Sequence, residues 1–162
     1  MRRFAAAERF DKERNLTDES LPARLAPYVL SILRIMAALL FLEHGLSRLF
    51  GFPSPLPTPP LFTLYWFAGA IELVGGLLLT VGLFSRAAAL VMSGEMAFAY
   101  FLSHAPQAFF PILNRGDAAI LYCFVFLYIA FAGPGPWSLD ARSGAARSRI
   151  DIGAPVRHSR SP

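Results

Sequence analysis

The chain has 162 residues, of which 55% are hydrophobic and 16% charged, and its formal net charge is +4. An average soluble domain is nearer ~25% charged, so this composition, with a mean hydropathy of +0.47, excludes an ordinary soluble enzyme and fits a single integral membrane domain. The basic balance does not point to nucleic acid, because the Lys and Arg residues collect in the two ends of the chain rather than on one folded face.

Residues 1–25 are mixed in charge, with Phe4, Phe10 and Leu16 too sparse to build an apolar face, and read as a cytoplasmic N-terminal tail. No 7–15 residue apolar core follows the N-terminal arginines, so no cleaved signal is expected. A membrane domain then covers residues 26–140, with four spans at about 27–50, 62–84, 87–103 and 118–133. Pro27 suits the first turn of span one, where a missing N–H costs nothing. The proline-rich GFPSPLPTPP forbids further helix and makes residues 51–60 a loop outside the membrane.

Span two opens with Tyr65 and Trp66 at headgroup level. Its glycines Gly69, Gly75, Gly76 and Gly82, with Gly45 on span one, are expected to let neighbouring helices approach closely. Ser85 and Arg86 are expected to form a tight turn into span three. The segment HAPQAFFPILNRGD interrupts the hydrophobic run as a cap, and Asp117 is expected to start span four. GPGPWSLD ends that span. Residues 141–162, rich in Arg, Ser, Ala and Gly, are expected to be a disordered cytoplasmic tail.

With four spans both ends lie on one side. The tails hold eleven Lys and Arg, Arg86 makes twelve, and Arg115 stands alone on the other side. The positive-inside rule therefore puts both ends in the cytoplasm. The fold class expected is all-α, an integral membrane four-helix bundle with cytoplasmic termini.

The chemistry is concentrated in the charges within the spans, each of which costs on the order of 2.5–3.5 kcal/mol at a helix centre and so faces inward and pairs. On a helix turning ~100° per residue, Arg34, His44 and Arg48 fall within an arc of roughly 80°, while Glu43 points the opposite way. Arg34 is expected to pair with Glu72 or Glu95, which lie near the midplane of spans two and three. The binding candidates are therefore Arg34, Glu43, His44, Arg48, Glu72 and Glu95, and His44, Glu72 and Glu95 are the candidates for proton handling. Such contacts also serve simply to fix helix register. A polar site among apolar helices suits a small polar head such as a quinone ring or a substrate anion.

The single cysteine, Cys123, excludes a dithiol or thiolate cluster within one chain, and no metal site is read. His44 and His104 lie toward the same side, but no haem motif accompanies them and haem is set aside. His158 lies in the tail. No phosphate-binding loop, dinucleotide fingerprint, HExxH or nucleophile elbow is present.

Four segments in order, LRIMAALLFLEHGLSRLFGFP, AGAIELVGGLLLTVGLFSRAAAL, FPILNRGDAAILY and GPGPWSLD, give the chain a resemblance to the DoxX family over residues from about 28 to 140. The resemblance implies a four-helix protein of the bacterial inner membrane, multi-pass, in contact with lipid. It further implies association with redox systems such as a thiosulfate–quinone oxidoreductase or complexes that handle thiol and oxidative stress. Arg34, His44, Gly45, Arg48, Glu72 and Gly76 stand where that family's polar and small positions fall; Arg48 replaces a common Lys and Asp117 a common Glu, both keeping the charge. The expected function is thus a membrane oxidoreductase subunit that interacts with quinone and works with a protein partner. The competing expectation is a non-enzymatic anchor, an assembly factor or a small-solute transporter, and a homo-oligomer built on the glycine-rich face of span two is compatible with either.

Overall fold

The computed structural model describes residues 21–54 and 57–143, and every regular element among them is helical. The expectations for residues 1–20 and 144–162, His158 included, lie outside the described residues. Helix α1 runs from Leu21 to Phe50, α2 from Leu64 to Val81 and α3 from Ser85 to Ala99. A π-helical turn, Tyr100–His104, continues α3. The short α4, Pro111–Asn114, precedes α5, Asp117–Ala132. Residues 139–143 are helical again.

Several boundaries differ from those expected, for local reasons. Helix α1 starts six residues before Pro27, and residues 21–29 are exposed, so the one hydrogen bond that Pro27 removes is lost where water or headgroups can replace it. The turn between α2 and α3 is Gly82–Phe84, not Ser85–Arg86. Gly82 has φ +73° and donates its N–H to the Leu78 carbonyl at 2.9 Å, closing α2 in the left-handed conformation that glycine adopts freely. Asp117 is the first helical residue of α5, and the cap position is Gly116. Among the described residues, only α1 and α2 are long and apolar enough to cross a membrane by themselves; α5 is apolar but has 16 residues.

Helix α1 packs chiefly along α2, and α3 along α5, with the α2–α3 contact joining the pairs. Glycine sets the first of these distances. A Cβ on Gly45 would lie 2.6 Å from the Leu73 backbone nitrogen, and one on Gly76 would lie 3.0 Å from the Leu42 Cα. The small residues expected to permit close approach are thus spent inside the fold. The core they surround is made of Ala38, Phe41, Leu79, Ala89, Met92, Phe126 and Ile129, all essentially buried.

Outside this core the usual polarity is inverted. Leu33, Met36, Leu40, Val74, Leu77, Leu90, Phe124 and Phe131 are exposed, whereas Arg34 and Glu72 are 0% and 1% exposed. A surface of that kind is covered by lipid rather than water.

Arg34 does not meet a glutamate, which corrects the pairing expected for it. Its guanidinium donates to the carbonyls of Leu79, Thr80, Pro134 and Trp137. Leu79 and Thr80 lie in the last turn of α2, where carbonyls have no intrahelical donor. Pro134 and Trp137 belong to GPGPWSLD, which folds back across this end of the helices. Asp140 then accepts from the N–H groups of Phe84 and Ser85 at 3.0 and 2.8 Å and caps α3. Burial pushes the Asp140 carboxyl up, but the Ser85 and Phe84 hydrogen bonds and the Arg34 charge outweigh it, and it lies below the usual carboxylate range.

Two outcomes follow. Gly45→Ala costs about 1–3 kcal/mol of stability in detergent unfolding because α1 and α2 must separate, whereas Gly94→Ala, whose Cβ meets nothing within 4 Å, is neutral or stabilising; equal effects would show that the helices are not in this contact. Because the Asp140 pKa is depressed in the folded state, its stabilisation is complete above about pH 4 and is lost as pH falls through the folded value. Asp140→Asn should therefore unfold more easily than wild type at pH 7, and the gap should close in acid; a gap that stays constant with pH would count against the cap.

Candidate functional site

The polar residues left after Arg34 is satisfied converge elsewhere. A cavity of about 750 Å³ lies among α1, α2, α3, the π-helical turn and α5. Its walls are largely apolar, with Phe41, Ile71, Val91, Met96, Phe98 and Leu102 among them. Into this wall the elements set His44 and Arg48 from α1, Glu72 from α2, Glu95 from α3, His104 from the π-helical turn and Tyr122 from α5.

The local sequence explains the central contact. His44 and Arg48 are one helical turn apart and share a face. Between them Gly45 has no side chain, so the backbone of Glu72 and Leu73 lies against α1, within about 3 Å of where a Cβ would be. That approach brings the Glu72 carboxylate to Arg48, with Nη2 3.2 Å from Oε1. Arg48 is 32% exposed and Glu72 1%, so the buried partner depends on the pair more than the exposed one does.

The remaining groups are incompletely satisfied. Oε2 of Glu72 and Oε2 of Glu95 are buried without a hydrogen-bond partner. The His44 ring is fixed by Nδ1, 2.8 Å from the Leu40 carbonyl, and lies edge-on to Tyr122 at 6.4 Å between centroids. His104 is fixed by Nδ1, 2.9 Å from the Asn114 carbonyl, and stacks on Tyr100 at 6.5 Å. Asn114 is itself buried; it donates to the Ala108 carbonyl and accepts from the Gly116 N–H, both at 2.8 Å. The loop before α5 is thus built to hold His104 in place.

Of the residues singled out from sequence, His44, Arg48, Glu72 and Glu95 come together at this cavity, while Arg34 and Glu43 are not among its lining residues. Glu43 is exposed, as its position opposite the Arg34 stripe requires. Gly69 packs on Leu49 and Gly75 on Met92, as helix-packing residues. Tyr122 is the site residue that the sequence signalled least, since nothing distinguishes it from Tyr128 except the face of α5 it occupies. Among the described residues no three metal-ligating side chains converge.

The asymmetry in burial sets an expected result. Arg48→Met strands a buried carboxylate and costs about 3 kcal/mol; Glu72→Gln leaves Arg48 within reach of solvent and costs less. The double variant Arg48→Met/Glu72→Gln should be more stable than Arg48→Met alone. Strict additivity in detergent unfolding would show that the two side chains do not interact.

Comparison with known proteins places the chain in a family. The model of the DoxX family matches residues 29–105. An uncharacterized protein of Haemophilus influenzae is 42% identical over 123 residues, covering 70% of this chain and 90% of that protein. No solved structure matches the chain. On the family match, the relative and the lipid-facing exterior, the chain belongs to the DoxX family of membrane proteins.

Proposed function

We propose that this protein is a four-span, multi-pass protein of the bacterial inner membrane that binds the head of a quinone-class lipid in the 750 Å³ cavity and serves as a subunit of a membrane redox system. The observation that carries the reading is that Glu72 and Glu95, each with a buried Oε2 that has no hydrogen-bond partner, both line one largely apolar chamber. Buried polar atoms are almost always bonded, and a small-molecule site is a concave apolar volume of roughly 300–1,000 Å³ with a few convergent polar groups. Phe41, Phe98 and Tyr122 line the chamber and would offer aromatic surface to a flat ring with oxygens on opposite edges.

When bound, a quinone supplies two-electron, two-proton chemistry. This chain's part is to desolvate and orient the ring and to hold protons at its edge. Arg48 keeps Glu72 in place, and Glu95 offers a carboxyl with no cation bonded to it among the described residues. One cysteine in the whole chain provides no thiol relay, so electrons reach or leave the site through a partner protein. Four spans with cytoplasmic ends agree with the charge count and with the helix ends that Arg34 and Arg86 tie together, Arg86 donating to the Ala130 and Phe131 carbonyls at 2.9 and 2.7 Å.

Purification in mild detergent, followed by lipid extraction and mass spectrometry, should find a quinone in near-stoichiometric amount. Glu72→Gln/Glu95→Gln should lose most of it while remaining folded. A preparation free of quinone that also fails to bind added quinone, yet co-purifies with a protein partner, would replace this reading with that of a non-enzymatic anchor.

A further inference from the structure

A second hollow lies beside the cavity, a groove of about 430 Å³ between α2 and α3. The cavity is walled by the first half of α2, up to Glu72, and by α3 from Val91 onward. The groove takes the complementary halves, from Phe67 to Leu78 on α2 and from Phe84 to Met92 across the turn and α3. The two share Phe67, Ile71 and Val91, so they lie end to end with common walls. Their chemistry differs. The cavity holds charged and hydroxyl side chains, whereas every residue lining the groove is apolar.

The groove is shaped by where side chains are large and where they are small. Phe67, Ile71, Val74 and Leu78 follow one another on a single face of α2. Small residues, Ala70, Gly75, Ala87 and Ala88, keep the space between the helices open. Gly75 also admits Met92 beneath it, since a Cβ there would lie 2.6 Å from the Met92 Sδ. At the end remote from the cavity stands Phe84, 68% exposed and with φ +48°, a conformation that favours glycine. The Asp140 carboxylate holds that turn by accepting from the Phe84 N–H at 3.0 Å. A turn that glycine would make without strain thus keeps an aromatic ring at the end of the groove.

Resting on the reading that the cavity takes the head of a quinone-class lipid, we propose that the groove holds the isoprenoid tail of that same molecule. The shared walls give a chain leaving the head an unbroken apolar path along α2 and α3 toward the Gly82–Phe84 turn. From Phe67 to Leu78 helix α2 rises about 16 Å. An extended isoprene unit, built on C–C bonds of ~1.5 Å, is about 5 Å long. The groove therefore has length for about three units, and any further length of tail passes Phe84 into the bilayer.

The test titrates the full-length protein in mild detergent with ubiquinones carrying no, one and three isoprene units. Val74→Trp and Ala87→Phe fill the groove without touching the cavity, and Phe84→Gly removes its end wall while relieving the left-handed turn. Each variant is compared with wild type for the same ligand at the same detergent concentration, so that partition into micelles cancels. Filling the groove should weaken the three-unit ligand about tenfold or more and the tailless one by less than about twofold. Phe84→Gly should weaken the three-unit ligand alone, by about threefold, and its result decides where a filled variant fails to fold. Three-unit binding unmoved in the folded variants would overturn the proposal, and a shift in oligomeric state at the same time would give the groove to a second copy of the chain. Equal weakening of tailed and tailless ligands in every variant would overturn it too, because the groove would then act only through the shape of the head cavity. A wild type that binds the tailless ligand upholds the head site whatever the variants show, whereas one that binds none of the three overturns the tail site together with the proposed function.

Discussion

A charge inside a protein whose exterior faces lipid has to find its partners within the fold, and the degree to which each does so organises this molecule. Arg34, fully buried, has four carbonyl acceptors and no remaining need. Glu72 has one oxygen on Arg48 and one free, and Glu95 has a buried oxygen with nothing. Buried polar atoms without partners carry a desolvation cost of about 1–3 kcal/mol each in proteins, and a fold that satisfies one charge fully has the means to satisfy the others. The division therefore separates a fully bonded anchor from the incompletely bonded groups of the residues that line the cavity.

The anchor works because helix ends expose carbonyls. Leu78 accepts from both Gly82 and Leu83, which leaves the next two carbonyls of α2 for Arg34. Arg86 does the same for the last turn of α5. Arginines placed at the C-terminal ends of two helices also complement their dipoles. GPGPWSLD is held between these devices: its carbonyls bind Arg34, the Ser31 hydroxyl accepts from the Trp137 N–H, and Asp140 closes the start of α3. One segment after α5 thereby ties together α1, α2 and α3, so the helices keep their register and the cavity keeps its shape.

The stripe of Arg34, His44 and Arg48 was legible in the sequence because helical periodicity is a property of one element. Their partners were not, because pairing depends on the register between elements. The pairing expected for Arg34 took Glu72 and Glu95, near the midplane of their spans, as within its reach, but α1 extends past α2 by the exposed turns from Leu21 onward. The Gly45–Leu73 and Gly76–Leu42 contacts fix the antiparallel register, which brings Arg34 to the C-terminal end of α2, where its guanidinium reaches the carbonyls of Leu79 and Thr80. Thr80 is eight residues from Glu72 along α2, about 12 Å, beyond the reach of the Arg34 side chain. The glycines carried the missing information, since their role in close packing was readable while the residues they would meet were not.

The same glycine contact joins fold to chemistry. Gly45 separates His44 from Arg48 in sequence and admits the α2 backbone between helices, so the tightest helix contact and the Arg48–Glu72 pair are one feature. A larger residue at 45 would move Glu72 away from Arg48 and leave a buried carboxylate exposed to apolar walls. Arg34, Asn114 and the two ring Nδ1 atoms are all committed to backbone groups, which fixes the frame. What faces the cavity after those commitments is a mixed set of hydrogen-bonding groups, Arg48 and Tyr122 beside Glu72, Glu95 and the two histidines.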